Sequence, residues 1–342
     1  MSVLRLGRRA MGTFFEVIVC GDDPARMRTA AEEALALVDR LEAQMSVYLP
    51  TSEVCAINAR AYVEPVRVEP RLYALLERAR ALWELTDGAF DCARGGVRGP
   101  MRYVTLRDGA VRFRRRGIGL DLGGIGKGYA LDRAAERLRA HGIERAFLHG
   151  GTSTALALGA PPGEEGWPVG LVDPRDPERR LGSLALRDEA LSASSPLGRI
   201  GPDGAGHVVD PRTGEPAACP AAWAVARSAA DADALSTAFV VLGPGARVPG
   251  GCGAMWLDRE LACVGVAPVL APEPREGTTR RDFLKGAAAA ATAFGVGLGA
   301  GPVRAQDPRA SREVKVALVG AGEQGSLLLE QMARMEGITV AA

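Results

Sequence analysis

Apolar residues recur at helical spacing from Ala25 to Met45, where Met27, Ala30, Ala34, Leu37, Val38, Leu41 and Met45 share a face behind an Asp23-Pro24 start. A second helix is predicted over Leu72–Leu85, stopped by Asp87-Gly88. Phe14–Val19 reads as a strand, and Val104–Leu106 and Val111–Phe113 flank Asp108-Gly109, a two-residue hairpin signal. A glycine-rich turn, Gly123 to Gly128, opens into a helix ending near His141-Gly142. Short strands follow around Phe147, Ala155–Leu158, Val169–Val172, His207–Val209 and Trp223–Ala226, then a helix from Ala230 to Leu242 that closes at Gly243. Strands and helices mix without strict alternation. That predicts an α+β domain, a single mixed sheet with helices, rather than a doubly wound sheet.

The pattern changes after residue 270. Ala271–Thr279 is a polar stretch of Pro, Gly and Glu and reads as a boundary. Thr279-Arg280-Arg281-Asp282-Phe283-Leu284-Lys285 resembles a twin-arginine export signal, followed by an uncharged Ala/Gly-rich helical stretch, Gly286–Val303, and a cleavage-like Val303-Arg304-Ala305. Val314–Val319 then reads as a strand opening into Gly320-Ala321-Gly322-Glu323-Gln324-Gly325, the G-x-G-x-x-G of a dinucleotide-binding start. This last piece resembles the opening of the Gfo/Idh/MocA oxidoreductases, and an isolated β-α-β start cannot bury its own sheet. The chain thus divides into a domain at 1–270, a linker at 271–279, a signal-like segment at 280–305 and a truncated, incomplete Rossmann start at 306–342.

Charge and composition narrow the choices. Lys+Arg is 42 and Asp+Glu is 41, so no net field would gather nucleic acid, and no such partner is expected. Six cysteines without a C-x-x-C pair read as free thiols. His141, His149 and His207 are too few and too scattered for a histidine metal cage, so any metal is expected to be held by oxygen. The N-terminal residues carry no apolar run of signal-peptide length. The first domain is therefore expected in the cytoplasm, with 280–305 as its link to the inner membrane.

Several segments carry chemistry. Met11-Gly12-Thr13 is read as preceding the first strand, and Gly88-Ala89-Phe90-Asp91 follows the second helix. In Leu120-Asp121-Leu122-Gly123-Gly124-Ile125-Gly126-Lys127-Gly128-Tyr129 the glycines let backbone approach a phosphate, and the helix start and Lys127 favour negative charge. Its spacing is not that of a nucleotide-cradling G-x-x-x-x-G-K-[ST] loop. The set is completed by His207-Val208-Val209-Asp210-Pro211-Arg212-Thr213-Gly214 and the helix segment Ala230 to Ala238. On that helix Asp233 and Thr237 stand four residues apart, hence on one face, and two hard oxygens one turn apart suit magnesium. Singly, each segment also has an ordinary reading: a cap, a turn, neutral filler.

Taken in order, these segments resemble the FAD:protein FMN transferase (ApbE-type) family from Met11 to about Gly243. The resemblance implies FAD as substrate, with Met11, Tyr48, Ala89, Phe90, Asp91, Asp121, Lys127 and His207-Val208 lining its site. It also implies magnesium held by the Gly124 carbonyl, Asp233 and Thr237, and an acceptor protein flavinylated on Thr or Ser, such as a membrane electron-transfer subunit. In the implied reaction the acceptor hydroxyl attacks the FMN-side phosphorus and AMP leaves. Asp233 holds the metal, Lys127 meets phosphate charge, and His207 or Asp210 is the candidate base. Two segments depart from the family pattern. Cys92 to Leu120 is shorter and rich in Arg and Gly, and the family's Thr-Ser-Gly is represented by Ser192-Ala193-Ser194-Ser195. The rivals are an FAD pyrophosphatase with water as acceptor, a non-catalytic flavin-binding module, and a nicotinamide oxidoreductase resting on Gly320 to Gly325 alone.

Overall fold

A computed structural model describes residues 2–197, 208–217, 219–257, 263–266 and 317–319. Its centre is an eight-stranded sheet, antiparallel throughout, in which strand order follows chain order. The strands are Ser2–Ala10, Thr13–Gly21, Ala146–Gly150, Thr154–Leu158, Ala190–Ser194, Ala221–Ala226, Gly253–Leu257 and Cys263–Val266. Strands and helices in this arrangement make the expected α+β class.

The helices are α1 (Pro24–Met45), α2 (Glu53–Arg60), α3 (Pro70–Leu85), α4 (Gly126–Ala140) and α5 (Ala229–Leu242). Side chains alternate across the sheet, so Ala222, Ala224 and Ala226 join the helix-side core while Ala221, Trp223 and Val225 join the core on the other face. The outer face is covered by the hairpin Trp167–Asp173 with Asp176–Leu186, which supplies Trp167, Val169, Leu171 and Leu186. Alanines on the inner face let α4 and α5 come close. The two helices also meet each other without a side chain between them: a Cβ on Gly128 would lie 2.0 Å from the Ala229 carbonyl oxygen.

The Asp23 cap, the Asp108-Gly109 hairpin and the Gly243 stop fall where the pattern puts them, with Asp108, Gly109 and Gly243 all at positive φ. Met11-Gly12-Thr13 does not precede the first strand. Ser2–Ala10 is itself a strand, and Met11 and Gly12, with φ of 51° and 70°, form the tight turn to the next one. The strand expected at His207–Val209 is only a bridge between Val209 and Pro216, and His207 lies outside the described residues. So do the linker, the signal-like segment and most of the Rossmann start. Its residues Ala317–Val319 form a strand running parallel to Val169–Leu171. Among the described residues no helix is long and apolar enough to cross a membrane.

Candidate active site

The chain reaches the site through the turn before α4. The Asp121 amide donates to the Cys92 carbonyl at 2.8 Å, and the Asp121 carboxylate accepts from the Gly123 amide at 3.0 Å. Asn58 of α2 fixes the preceding strand end by donating to the Leu120 carbonyl (2.9 Å) and accepting from its amide (2.6 Å). No side chain caps α4, since its N-cap is Ile125. The Gly126 amide donates back to the Leu122 carbonyl at 2.7 Å, and the first-turn amides beyond it need partners from elsewhere. One goes to Asp233, whose Oδ2 accepts from the Gly128 amide at 3.1 Å.

Asp233 sits on the second turn of α5 and is 3% exposed. A carboxylate that deep needs partners. Lys127 Nζ lies 3.3 Å from Oδ1, and the Thr154 and Ser192 hydroxyls donate to the same oxygen at 3.4 and 3.3 Å. One turn on, the Thr237 hydroxyl donates to the Asp233 carbonyl at 3.2 Å and lies 3.3 Å from Ser194 Oγ, which in turn lies 2.8 Å from Ser236 Oγ. Gly124 approaches from the α4 turn: a Cβ there would come 3.7 Å from Thr237 Oγ1 and 3.4 Å from the Phe90 ring. The structure therefore brings together Gly124, Lys127, Asp233 and Thr237, backed by Phe90. Among the described residues no group of three or more His, Cys, Asp and Glu could hold a metal. The oxygens on offer here come from one carboxylate, several hydroxyls and backbone carbonyls.

α5 is held in place from α4. The Asp132 carboxylate accepts from Ser228 Oγ (2.7 Å) and from the amides of Ala229 (2.8 Å) and Ala230 (2.9 Å), satisfying the amino end of α5. On the exposed side Arg78 of α3 makes a two-pronged contact with Asp231, at 2.7 and 2.6 Å.

The Ala89-Phe90-Asp91 turn follows α3, with Ala89 and Phe90 buried and Thr86 Oγ1 accepting from the Phe90 amide at 3.1 Å. Asp91 accepts from the amides of Ala93 (2.8 Å) and Met101 (3.2 Å), and burial, only partly offset by those bonds, pushes its carboxyl up to about 6. The loop from Val208 packs here. Val208 is buried in the same core, Gly99 donates its amide to the Pro211 carbonyl (2.8 Å), and a Cβ on Gly88 would meet the Arg212 side chain. Arg212 grips Asp210 at 2.8 and 2.9 Å and holds its carboxyl below the usual carboxylate range. Met11 packs on the core from its hairpin turn, and Tyr48 is 89% exposed.

The sequence marked Ser192 and Ser194 only as a departure from the family pattern and did not place the hydroxyls around α5, where Thr154 and Ser192 meet Asp233 and Ser194 meets Ser236 and Thr237. Thr154, Ser192 and Ser194 come from two neighbouring strands, and Ser192 and Ser194 share a face because they are two apart. That alternation of Ser with Leu191 and Ala193 was the available signal.

Known proteins share this fold. The ApbE family model matches residues 11–99 and 96–248. The chain is 32% identical to an FAD:protein FMN transferase of Treponema pallidum over 68% of its own length and 77% of that protein's. It is 30% identical to one from Klebsiella pneumoniae over 54% of its length and 67% of that protein's. Among solved structures, the ApbE protein of Thermotoga maritima superposes with a TM-score of 0.67 at 27% identity, covering 77% of this chain and 96% of that one. The flavin transferase ApbE of Vibrio cholerae shares the fold, with a TM-score of 0.68 at 22% identity. The match runs through the α4 turn, the Asp91 turn and the helix that carries Asp233, and the chain belongs to the ApbE family.

Proposed function

We propose that this chain is an FAD:protein FMN transferase that uses magnesium, takes a Thr or Ser hydroxyl as acceptor and releases AMP. Its relatives bear the transferase name, and the observation that carries the finer reading is the buried Asp233 carboxylate facing Lys127 and the glycine turn of α4. The residues fit magnesium by their chemistry. One carboxylate, the Thr237 hydroxyl and the Gly124 carbonyl are hard oxygens, and the Gly124 backbone lies next to Thr237, where even a Cβ would be within 3.7 Å of its hydroxyl. Bound there, the ion would supply positive charge to the FAD pyrophosphate and make its phosphorus more open to attack.

The chain's own residues do the rest. Thr154, Ser192 and the Gly128 amide hold the Asp233 carboxylate in one orientation. Lys127 reaches the same carboxylate and stands at the start of α4, where an anionic phosphate is favoured. The Met11 turn, the Ala89-Phe90-Asp91 turn, Asp121, Val208 and the exposed Tyr48 are assigned to the flavin. Asp91, holding its proton near pH 6, can donate a hydrogen bond as well as accept one. Asp210 is tied to Arg212 and orders its loop rather than taking a proton, which leaves His207 as the candidate base for the acceptor hydroxyl.

The test is to incubate the protein with FAD, magnesium and a Thr-centred peptide, following peptide mass and AMP. Transfer gives FMN-bearing peptide and AMP together, whereas AMP without peptide marks a pyrophosphatase. Asp233→Ala should abolish magnesium-dependent turnover while circular dichroism stays native. Wild-type turnover of that variant at the same magnesium concentration would sink the assignment.

A further inference from the structure

The segment from Cys92 to Leu120 holds eight arginines, at 94, 98, 102, 107, 112, 114, 115 and 116, against a single carboxylate, Asp108. The whole chain carries a net charge of only +1, so its positive charge is concentrated here. Arg94, Arg98, Arg112, Arg114, Arg115 and Arg116 are all exposed. Among the described residues, ion pairs reach only two of the eight: Arg94, at 4.0 Å from Asp121, and Arg107, at 3.2 Å from its exposed neighbour Asp108. Arg115 lies over the Tyr103 ring at 5.4 Å, and Arg114 donates to the Arg102 carbonyl, contacts that hold the side chains without cancelling their charge.

Two cavities open among these arginines. One, of about 670 Å³, is lined by Asn58, Tyr62, Val63, Arg94, Arg116 and Gly119. The other, of about 360 Å³, is lined by Arg67, Thr105, Arg107 and Arg112, with Asp108 as its one carboxylate. The larger one adjoins the candidate active site through two contacts: Asn58 clamps Leu120, the residue before Asp121, and Arg94 pairs with Asp121 itself. Its rim also exposes Tyr62 and Val63, the latter at 74%. A surface that is cationic, partly apolar and continuous with the flavin turn suits an extended chain with acidic residues.

We infer that the acceptor protein docks on this arginine face through an acidic segment flanking its acceptor hydroxyl. The inference rests on the transferase reading. A nucleic acid would meet the same charges, but the reaction calls for a protein here, and two residues lining the larger cavity, Asn58 and Arg94, touch Leu120 and Asp121 at the start of the α4 turn.

The experiment compares Thr-centred peptides flanked by Asp/Glu, by Asn/Gln or by Lys, using the wild-type protein and an Arg112→Glu, Arg116→Glu double variant. The acidic peptide should have the highest kcat/KM with the wild type, and its advantage should shrink as salt rises to roughly 0.5 M. In the double variant its kcat/KM should fall by about tenfold or more, with FAD affinity unchanged and the Lys-flanked peptide gaining. Equal kcat/KM for acidic and neutral peptides at low salt overturns the docking inference and leaves the transferase reading standing. So does tighter binding of a DNA duplex than of the acidic peptide at the same salt. Absence of FMN on every peptide, with FAD still bound, overturns the transferase reading and the docking inference with it. The peptide and salt series need only the wild-type protein, so they decide the matter even if the double variant fails to fold.

Discussion

At Gly128 a methyl group would meet not a movable side chain but the Ala229 carbonyl and the Ala230 nitrogen, the latter at 2.7 Å. Relief requires α4 and α5 to part, which also strains the hydrogen bond that the Gly128 amide donates to Asp233. Gly128→Ala should therefore destabilise the fold by about 2–3 kcal/mol, read from urea unfolding, and lower turnover as well. Glu189 offers a test by pH. Burial pushes its carboxyl up from 4.5 to about 7, with Arg227 pulling down and Asp188 pushing up. Its folded value lies above its unfolded one, so the stability it contributes is complete below about pH 4.5 and is lost as pH rises through about 7. Glu189→Gln lacks that loss, so its Tm relative to wild type should climb across this window. A constant difference would show that the carboxyl titrates normally. Single residues were also where the sequence spoke least evenly. Asp233 and Thr237 were legible as a pair because helical spacing places them together, whereas Thr154 and Ser192 meet Asp233 only through strand register, which local spacing does not encode.

Among the elements, α5 depends on a cap lent by α4. Asp132→Ala would leave the Ala229 and Ala230 amides and the Ser228 hydroxyl without their carboxylate, at a cost of roughly 1–3 kcal/mol. Thermal unfolding checks this, and Asp132→Asn, which keeps an acceptor, should lose less. α1, α3 and α4 were readable because a 3.6-residue period runs through each, with Asp87-Gly88 closing α3 and His141-Gly142 closing α4, whereas α5 is buried nearly all round and was readable from its length and the Gly243 stop. α2 is eight residues long, too short for its period to register. The strands missed have different causes. Ala190–Ser194 shows Ser rather than large apolar residues on its inner face because that face lines the site, and Gly253–Leu257 is buried nearly throughout, which erases alternation. Ser2–Ala10 carries arginines where a core strand would carry valines.

For the molecule as a whole, the site and the C-terminal strand lie on opposite sides of the central sheet. Asp233 belongs to the helix side, while Ala317–Val319 adds to Val169–Leu171 of the covering hairpin. The family match ends at residue 248. A chain truncated after Glu276 should therefore keep its FAD affinity and transfer rate, measured by fluorescence quenching and AMP release, and loss of FAD binding would show that the tail supports the domain. Sheet order has one more consequence. Among the described residues, Ser2–Ala10 is an edge strand, with one neighbour to take its backbone hydrogen bonds. A row of unpaired peptide groups is a template on which a second molecule can add, the first step toward fibrils. Here the strand carries Arg5, Arg8 and Arg9, two of them held in place by Glu16 and Asp39. Two molecules approaching edge to edge would have to bring these long charged side chains together, with Arg9 of each unpaired among the described ion pairs, so the same residues that hid this strand from a hydrophobic reading work against polymerisation through it.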